Sequence, residues 1–157
     1  MRTNLDFEIG SSENVPRDVV QRRLMSEALQ AYAAPFHSLG LNGKVTTAQL
    51  RQSVLVFCDK MAADLVVSEL LQKSVRGLKH WIMPDALAAR ELALQGQCLA
   101  FLPESFAESS VAAGELNVLK TSSQPLLRSY SAWWNAGSPL PWIAEVFLSL
   151  LAVENGD

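Results

Sequence analysis

The chain has little of what most dedicated chemistries need. Of its 157 residues, two are cysteine and two are histidine. Cys58 and Cys98 are too few and too far apart for a disulfide framework or a zinc site, whose ligands come in closely spaced pairs, so both read as buried thiols. His37 and His80 stand in no metal-ligand spacing and beside no nucleophile motif. The stretch "AESSVAAG" lacks the G-x-S-x-G spacing of a strained nucleophile turn. The expectation is therefore a protein that is not an enzyme and carries no metal and no cofactor. No apolar window reaches the roughly 18 residues of a transmembrane span, and "MRTNLDFEIG" has no apolar signal-peptide core, which predicts cytoplasmic localisation and no membrane partner. Cations are scarce as well. Thirteen Lys and Arg against 16 Asp and Glu leave a net charge of -3, which argues against this chain gripping a nucleic-acid backbone by itself. The densest basic cluster, Arg17 to Arg23, is interrupted by Asp18 and apolar residues. Arg22 and Arg23 read as a solvated edge, with phosphate binding as the alternative.

What the chain does have is apolar residues, 49% of the total, enough to bury a core at this length. "LDFEIG" alternates like a half-buried strand and "SSENVPRD" is a loop. "VVQRRLMSEALQAYAAPF" suits either a helix or two extended passes ending at Pro35, and the extended reading is preferred. "HSLGLNGKV" is a turn. "TTAQLRQS" is a short helix capped by Thr46 or Thr47, and "VLVF" a buried strand. A helix is expected from Met61 to Val75, ended by Gly77. "KHWIM" is the next strand, then a helix through "ALAARELALQ" capped by Asp85 and stopped by Gly96, then the strand "CLAFL". Strands alternating with helices, too apolar to show one wet face, describe an α/β protein with a parallel sheet covered on both sides. Beyond Pro103 follow a short helix "ESFAESSVAA", the strand "ELNVL" after Gly114, a polar stretch "KTSSQ", the strand "PLLRSYSAWW" and a last helix. That helix places Trp142, Ile143, Val146, Phe147, Leu150 and Leu151 on one stripe and is expected to dock by it, completing a core.

Several residues admit two readings. Asp85 as general base competes with Asp85 as helix cap, the commoner role. Uncapped N–H groups at a helix start also attract anions, and in α/β sheets ligands collect at the carboxyl ends of strands, here Phe57-Cys58-Asp59, Met83-Pro84-Asp85 and Leu102-Pro103. Trp81 and Trp142 read as core rather than as an aromatic box. Trp133 and Trp134 must face opposite ways on a strand, which leaves one of them for an interface or pocket wall.

The segment "WIMPDALAARELALQGQCLAFLPESFAESSVAAGELNVL" resembles the second lobe of the effector-binding domain of LysR-type transcriptional regulators. The matching features are a helix ending in a small-residue turn at Gly96 to Ala100, a strand ending at Leu102-Pro103, and Gly114-Glu115-Leu116. Upstream, "VVQRRLMSEALQAYAAPFHSLGLNGKVTTAQLRQSVLV" is similar to the family's crossover strands, its turn at Pro35 to Gly40 and the following helix. "LDFEIG" resembles a strand of the first lobe, and "PLLRSYSAWWNAGSPLPWIAEVFLSLLA" the strand and helix that return to it. Cys98 departs from the pattern by standing where a glycine is usual. The chain also starts at what should be the third strand of lobe one, without the winged helix-turn-helix.

The resemblance implies a periplasmic-binding-protein-like type II two-lobed fold with the second lobe complete and the first lobe truncated. Residues 1–41 and 119–157 would form the partial first lobe and 42–118 the second. It further implies a small-molecule effector in the cleft, a homo-oligomer (a dimer being expected), and DNA contact only through an N-terminal domain absent from this chain. Candidate ligand-binding residues are Gly10, Ser11, Cys58, Asp59, Met61, Pro84, Asp85, Phe101 and Leu102. The rival expectation is a stand-alone small-molecule-binding protein of the same fold without DNA-binding activity. An α/β enzyme would need a nucleophile–base pair that the residues do not supply.

Overall fold

A computed structural model describes residues 7–11, 17–71, 76–121 and 125–154. The start of "LDFEIG", most of the "SSENVPRD" loop, the end expected for the helix to Val75 and the last three residues of "KTSSQ" lie outside the described residues. In chain order the elements are β1 (Glu8–Ser11), β2 (Val19–Ala33), α1 (Thr47–Gln52), β3 (Val54–Phe57), α2 (Lys60–Glu69), β4 (Lys79–Ile82), α3 (Ala86–Leu94), β5 (Leu99–Pro103), α4 (Glu104–Ala112), β6 (Asn117–Leu119), β7 (Leu126–Asn135) and α5 (Trp142–Glu154). They fall into two compact units, Met1–Ser26 with Arg128–Asp157, and Glu27–Leu127. The division runs within β2 and near the start of β7, whereas the lobe boundaries expected from sequence, 41/42 and 118/119, lie inside the second unit. The last part of β2 belongs there because it pairs with β5 and β6.

In the second unit the strands lie in the order β2-β5-β3-β4, with β6 also on β2. β3 is parallel to β4 and to β5, while β2 runs antiparallel to β5 and β6. The sheet is therefore mixed rather than wholly parallel. β3 and β5 hold the core: Leu55, Val56, Phe57 and the run Leu99 to Leu102 are fully buried, as strands with a neighbour on each edge and helices above them must be. α3 packs on β5 and β3, and α2 on β3. β4 is the outer strand, and all four of its residues are exposed. This overturns the core reading of Trp81, which is 57% exposed, because the sheet ends at β4 and the helices lie over its inner neighbours.

Local chemistry explains most element ends. Thr46 caps α1 through a capping box: the Gln49 N–H donates to Thr46 Oγ1 at 3.2 Å, and the Thr46 N–H donates to Gln49 Oε1 at 2.9 Å. α2 stops at its C-cap Leu70, short of the expected Val75, so Gly77 does not end it. Gly96, beyond the end of α3, has φ +72°, where glycine carries no side-chain penalty. β2 is one continuous strand rather than two passes, since no Gly, Pro, Asn or Asp interrupts Val19 to Ala33.

In the first unit β1 pairs antiparallel with β7, from Glu8 opposite Trp133 to Ser11 opposite Tyr130. The Gln21 amide donates to Ser131 Oγ at 3.0 Å, and the hydroxyls of Ser26 and Ser129 are 2.9 Å apart, tying the first half of β2 to β7. Trp133 is buried and Trp134 half-buried, on opposite faces as adjacent strand residues must be. α5 corrects the expectation of its docking stripe and the core reading of Trp142. It buries Ala144 and Leu148, one turn apart, while Trp142 is 72% and Leu150 63% exposed. The small side chain of Ala144 lets the helix backbone approach closely, and this turns the bulky residues outward.

Candidate functional site

Five of the candidate ligand-binding residues follow the carboxyl ends of β3 and β4. β3 ends at Phe57, and the chain turns through Cys58 and Asp59 into α2. Asp59 Oδ1 accepts the Ala62 N–H at 2.7 Å, making the aspartate an N-cap. The buried Cys58 thiol donates to Asp59 Oδ2 at 3.6 Å. Met61 follows in the first turn of α2, half-buried. At the end of β4 the Met83 N–H donates to the Phe57 carbonyl at 2.9 Å, holding the two strand ends together. Pro84 and Asp85 come next, both exposed, and Asp85 Oδ1 accepts the Ala88 N–H at 2.8 Å to cap α3. The structure thus assigns both aspartates to capping, as the sequence reading expected for Asp85 but not for Asp59.

Phe101 and Leu102 sit behind this rim, fully buried. The Phe101 ring stacks on Phe57 with centroids 5.7 Å apart and planes at 26°. Phe101 also borders a cavity of about 430 Å³ whose wall includes Leu29, Gln30, Leu70, Lys120 and Leu126. Gly10 and Ser11 belong to β1 of the first unit, not to this cluster. A Cβ on Gly10 would lie 2.7 Å from the Trp133 ring, so the glycine there makes room for the tryptophan. Sequence reasoning missed Gln30 and Lys120. The one available signal was a polar residue inside the apolar run "ALQAYAA", and only the register of β2 against β5 brings it to the cavity.

α4 differs from α2 and α3 at its start. Its N-cap is Pro103, with no side-chain hydrogen bond, and its first turn carries Glu104. Burial, and secondarily the Glu104 charge, pushes the Tyr32 hydroxyl up to about 12. Burial pushes the Cys98 thiol up to about 11 and lowers His37, whose Nδ1 accepts the Leu39 N–H at 3.1 Å. Such a thiol is a packing group at neutral pH, since the reactive form is the thiolate. Among the described residues no three metal-ligating side chains gather. No helix in them is long and apolar enough to cross a membrane.

The arrangement suits binding. β3 leads through α2 to β4 on one side, while its neighbour on the other side is β5. The connections leaving these adjacent strands diverge, the topology at whose carboxyl ends α/β proteins commonly bind ligands. A chain built of such a unit, joined by long crossover strands to a second one, is of the α/β ligand-binding class. Residues 2–154 match the model of the LysR substrate binding domain, and the chain belongs to that family. Its fold is the type II periplasmic-binding-protein-like fold of LysR regulatory domains. It is similar to the regulatory domain of MetR, a LysR family regulator from N. meningitidis (TM-score 0.76, 14% identity, 93% of this chain and 68% of that one). It is also similar to the Synechocystis CcmR regulatory domain in complex with 2-PG (0.73, 19%, 97% and 74%), and to full-length OxyR C199D from Pseudomonas aeruginosa (0.72, 21%, 94% and 52%). No curated protein matches significantly.

Proposed function

We propose that this chain is the effector-sensing part of a LysR-type transcription regulator, binding a small metabolite at the carboxyl ends of the second unit's strands. The observation that carries this reading is the divergence of the connections after β3 and β5; the proposed contacts are Cys58, Asp59, Met61, Pro84 and Asp85, which follow the ends of β3 and β4, with the buried Phe101 and Leu102 of β5 beneath them. Gly10 and Ser11, on β1, are the first unit's own candidate ligand contacts. The carboxylates of Asp59 and Asp85 disfavour a multiply anionic effector, so a neutral, cationic or singly charged molecule is the expected class. A ligand that prefers one arrangement of the regulator shifts its population by that difference in affinity and by nothing else. DNA is reached through a separate N-terminal domain, and the chain works as a homo-oligomer in the cytoplasm.

A thermal-shift screen against small metabolites tests the reading. At 100 times its Kd a ligand adds about 2.7 kcal/mol, or roughly 5–10 °C for a chain of this size. Asp85→Ser keeps the cap and removes the charge, so it should change the affinity for that ligand at least severalfold while leaving the unliganded Tm nearly in place. A flat screen on a well-folded sample would count against effector binding. Light scattering at micromolar concentration tests self-association, and a monodisperse monomer would refute it.

A further inference from the structure

The first unit presents an apolar helix face to solvent. On α5, Trp142, Ile143, Val146, Phe147 and Leu150 are exposed by 72, 57, 46, 41 and 63%. Their spacing of one, three, one and three residues is that of a single helix side, turned away from the buried Ala144 and Leu148. No charged residue interrupts the stripe. Ser149, at its margin, turns its hydroxyl back to the Glu145 carbonyl at 2.7 Å. The Phe147 ring lies 6.2 Å from that of Phe7, just before β1. Two residues on and on the same strand face, Ile9 is also exposed. Among the described residues β1 pairs with β7 alone, leaving its other edge open.

We propose that this face is a self-association surface, covered by α5 of a second copy lying antiparallel across it about a twofold axis near Val146. The proposal rests on the homo-oligomeric reading above and names its surface. An isologous contact sets like against like, and a stripe without charge meets its copy without like-charge repulsion. The mid-stripe position belongs to the short side chain of Val146, which allows close approach, and the twofold sets Trp142 of one copy beside Leu150 of the other. The exposed apolar surface is on the order of 500 Å² per chain, near the upper end of what monomers display. Two copies would bury roughly 1,000 Å², the lower limit for a specific interface.

The test is light scattering on the whole 157-residue chain, wild type against Val146→Glu and Leu150→Glu, with circular dichroism as the control for folding. The wild type should run at twice the chain mass, and each variant should dissociate at least tenfold more readily while keeping its spectrum. A second readout covers variants that fail to fold. Val146→Cys, placed at the axis, should give a disulfide-linked dimer on mild oxidation, whereas Cys58 and Cys98 are buried. A folded variant that stays dimeric, or a Val146→Cys chain that does not cross-link, overturns the surface and leaves the oligomeric reading standing. A monomeric wild type overturns both.

Discussion

The two units treat similar side chains in opposite ways. In Glu27–Leu127 the large apolar residues of β3 and β5 are sealed, and Phe57 and Phe101 stack at the centre. In the unit formed by the two chain ends, the apolar residues of α5 face water while Ala144 and Leu148 make the contact. An apolar run is buried only when its fold supplies neighbours on that side. β5 has strands on both edges and α3 and α4 packed on it, whereas on the outward face of α5 the Phe147 ring meets that of Phe7 and Trp142, Ile143 and Leu150 stay more than half exposed.

The sharpest way to break this contrast is a matched pair of truncations. Phe101→Ala should cost about 3–5 kcal/mol in urea unfolding. Phe147→Ala, already 41% exposed, should cost under about 1 kcal/mol in the dissociated chain. Equal losses would mean that the two units are built alike.

The next effect probes turns of the second unit. A Cβ on Gly40 would stand 2.0 Å from the Ala34 carbonyl oxygen, part of a backbone that cannot step aside. On Gly96 it would meet the Phe36 ring, which is 73% exposed and free to swing away. Gly40→Ala should therefore cost about 2–3 kcal/mol and Gly96→Ala about 1–2 kcal/mol, mainly from its left-handed backbone. Thermal melts that reverse this order would show the Phe36 contact to be the stiffer one.

Smaller still are the caps. Asp59→Ala and Asp85→Ala should each lose about 1 kcal/mol, and serine at either position should restore most of it. Full stability in both alanine variants would remove the capping role.

The smallest effect is on pH, and it reports on the second unit, which holds Tyr32, His37 and Cys98. Folding favours neutral His37, so its contribution is complete above the ordinary 6.5 and is lost as pH falls through the lowered value. Folding favours the Cys98 thiol, so that contribution is complete below 9.0 and is lost as pH climbs toward about 11. Tyr32 acts in the same direction between 10.0 and about 12. Urea midpoints across pH should fall at both ends, and His37→Gln should flatten the acid limb. An unchanged acid limb would place its origin at groups other than His37.

Sequence alone determined what depends on neighbours in the chain. Thr46, Asp59 and Asp85 could be read as caps or strand-end residues because a side-chain oxygen at a helix start needs only the next turn to satisfy it. Gly96 could be read as a stop, and β3 and β5 as buried strands from apolar runs too dense to have a wet face. The family pattern was legible for the same reason. Tertiary structure decided the rest. It made β4 an edge and so exposed Trp81, kept β2 in one piece, and brought Gln30 opposite Leu102. It also reversed α5, because burial depends on what stands opposite a side chain, and no periodicity within a helix can say which face will find a partner.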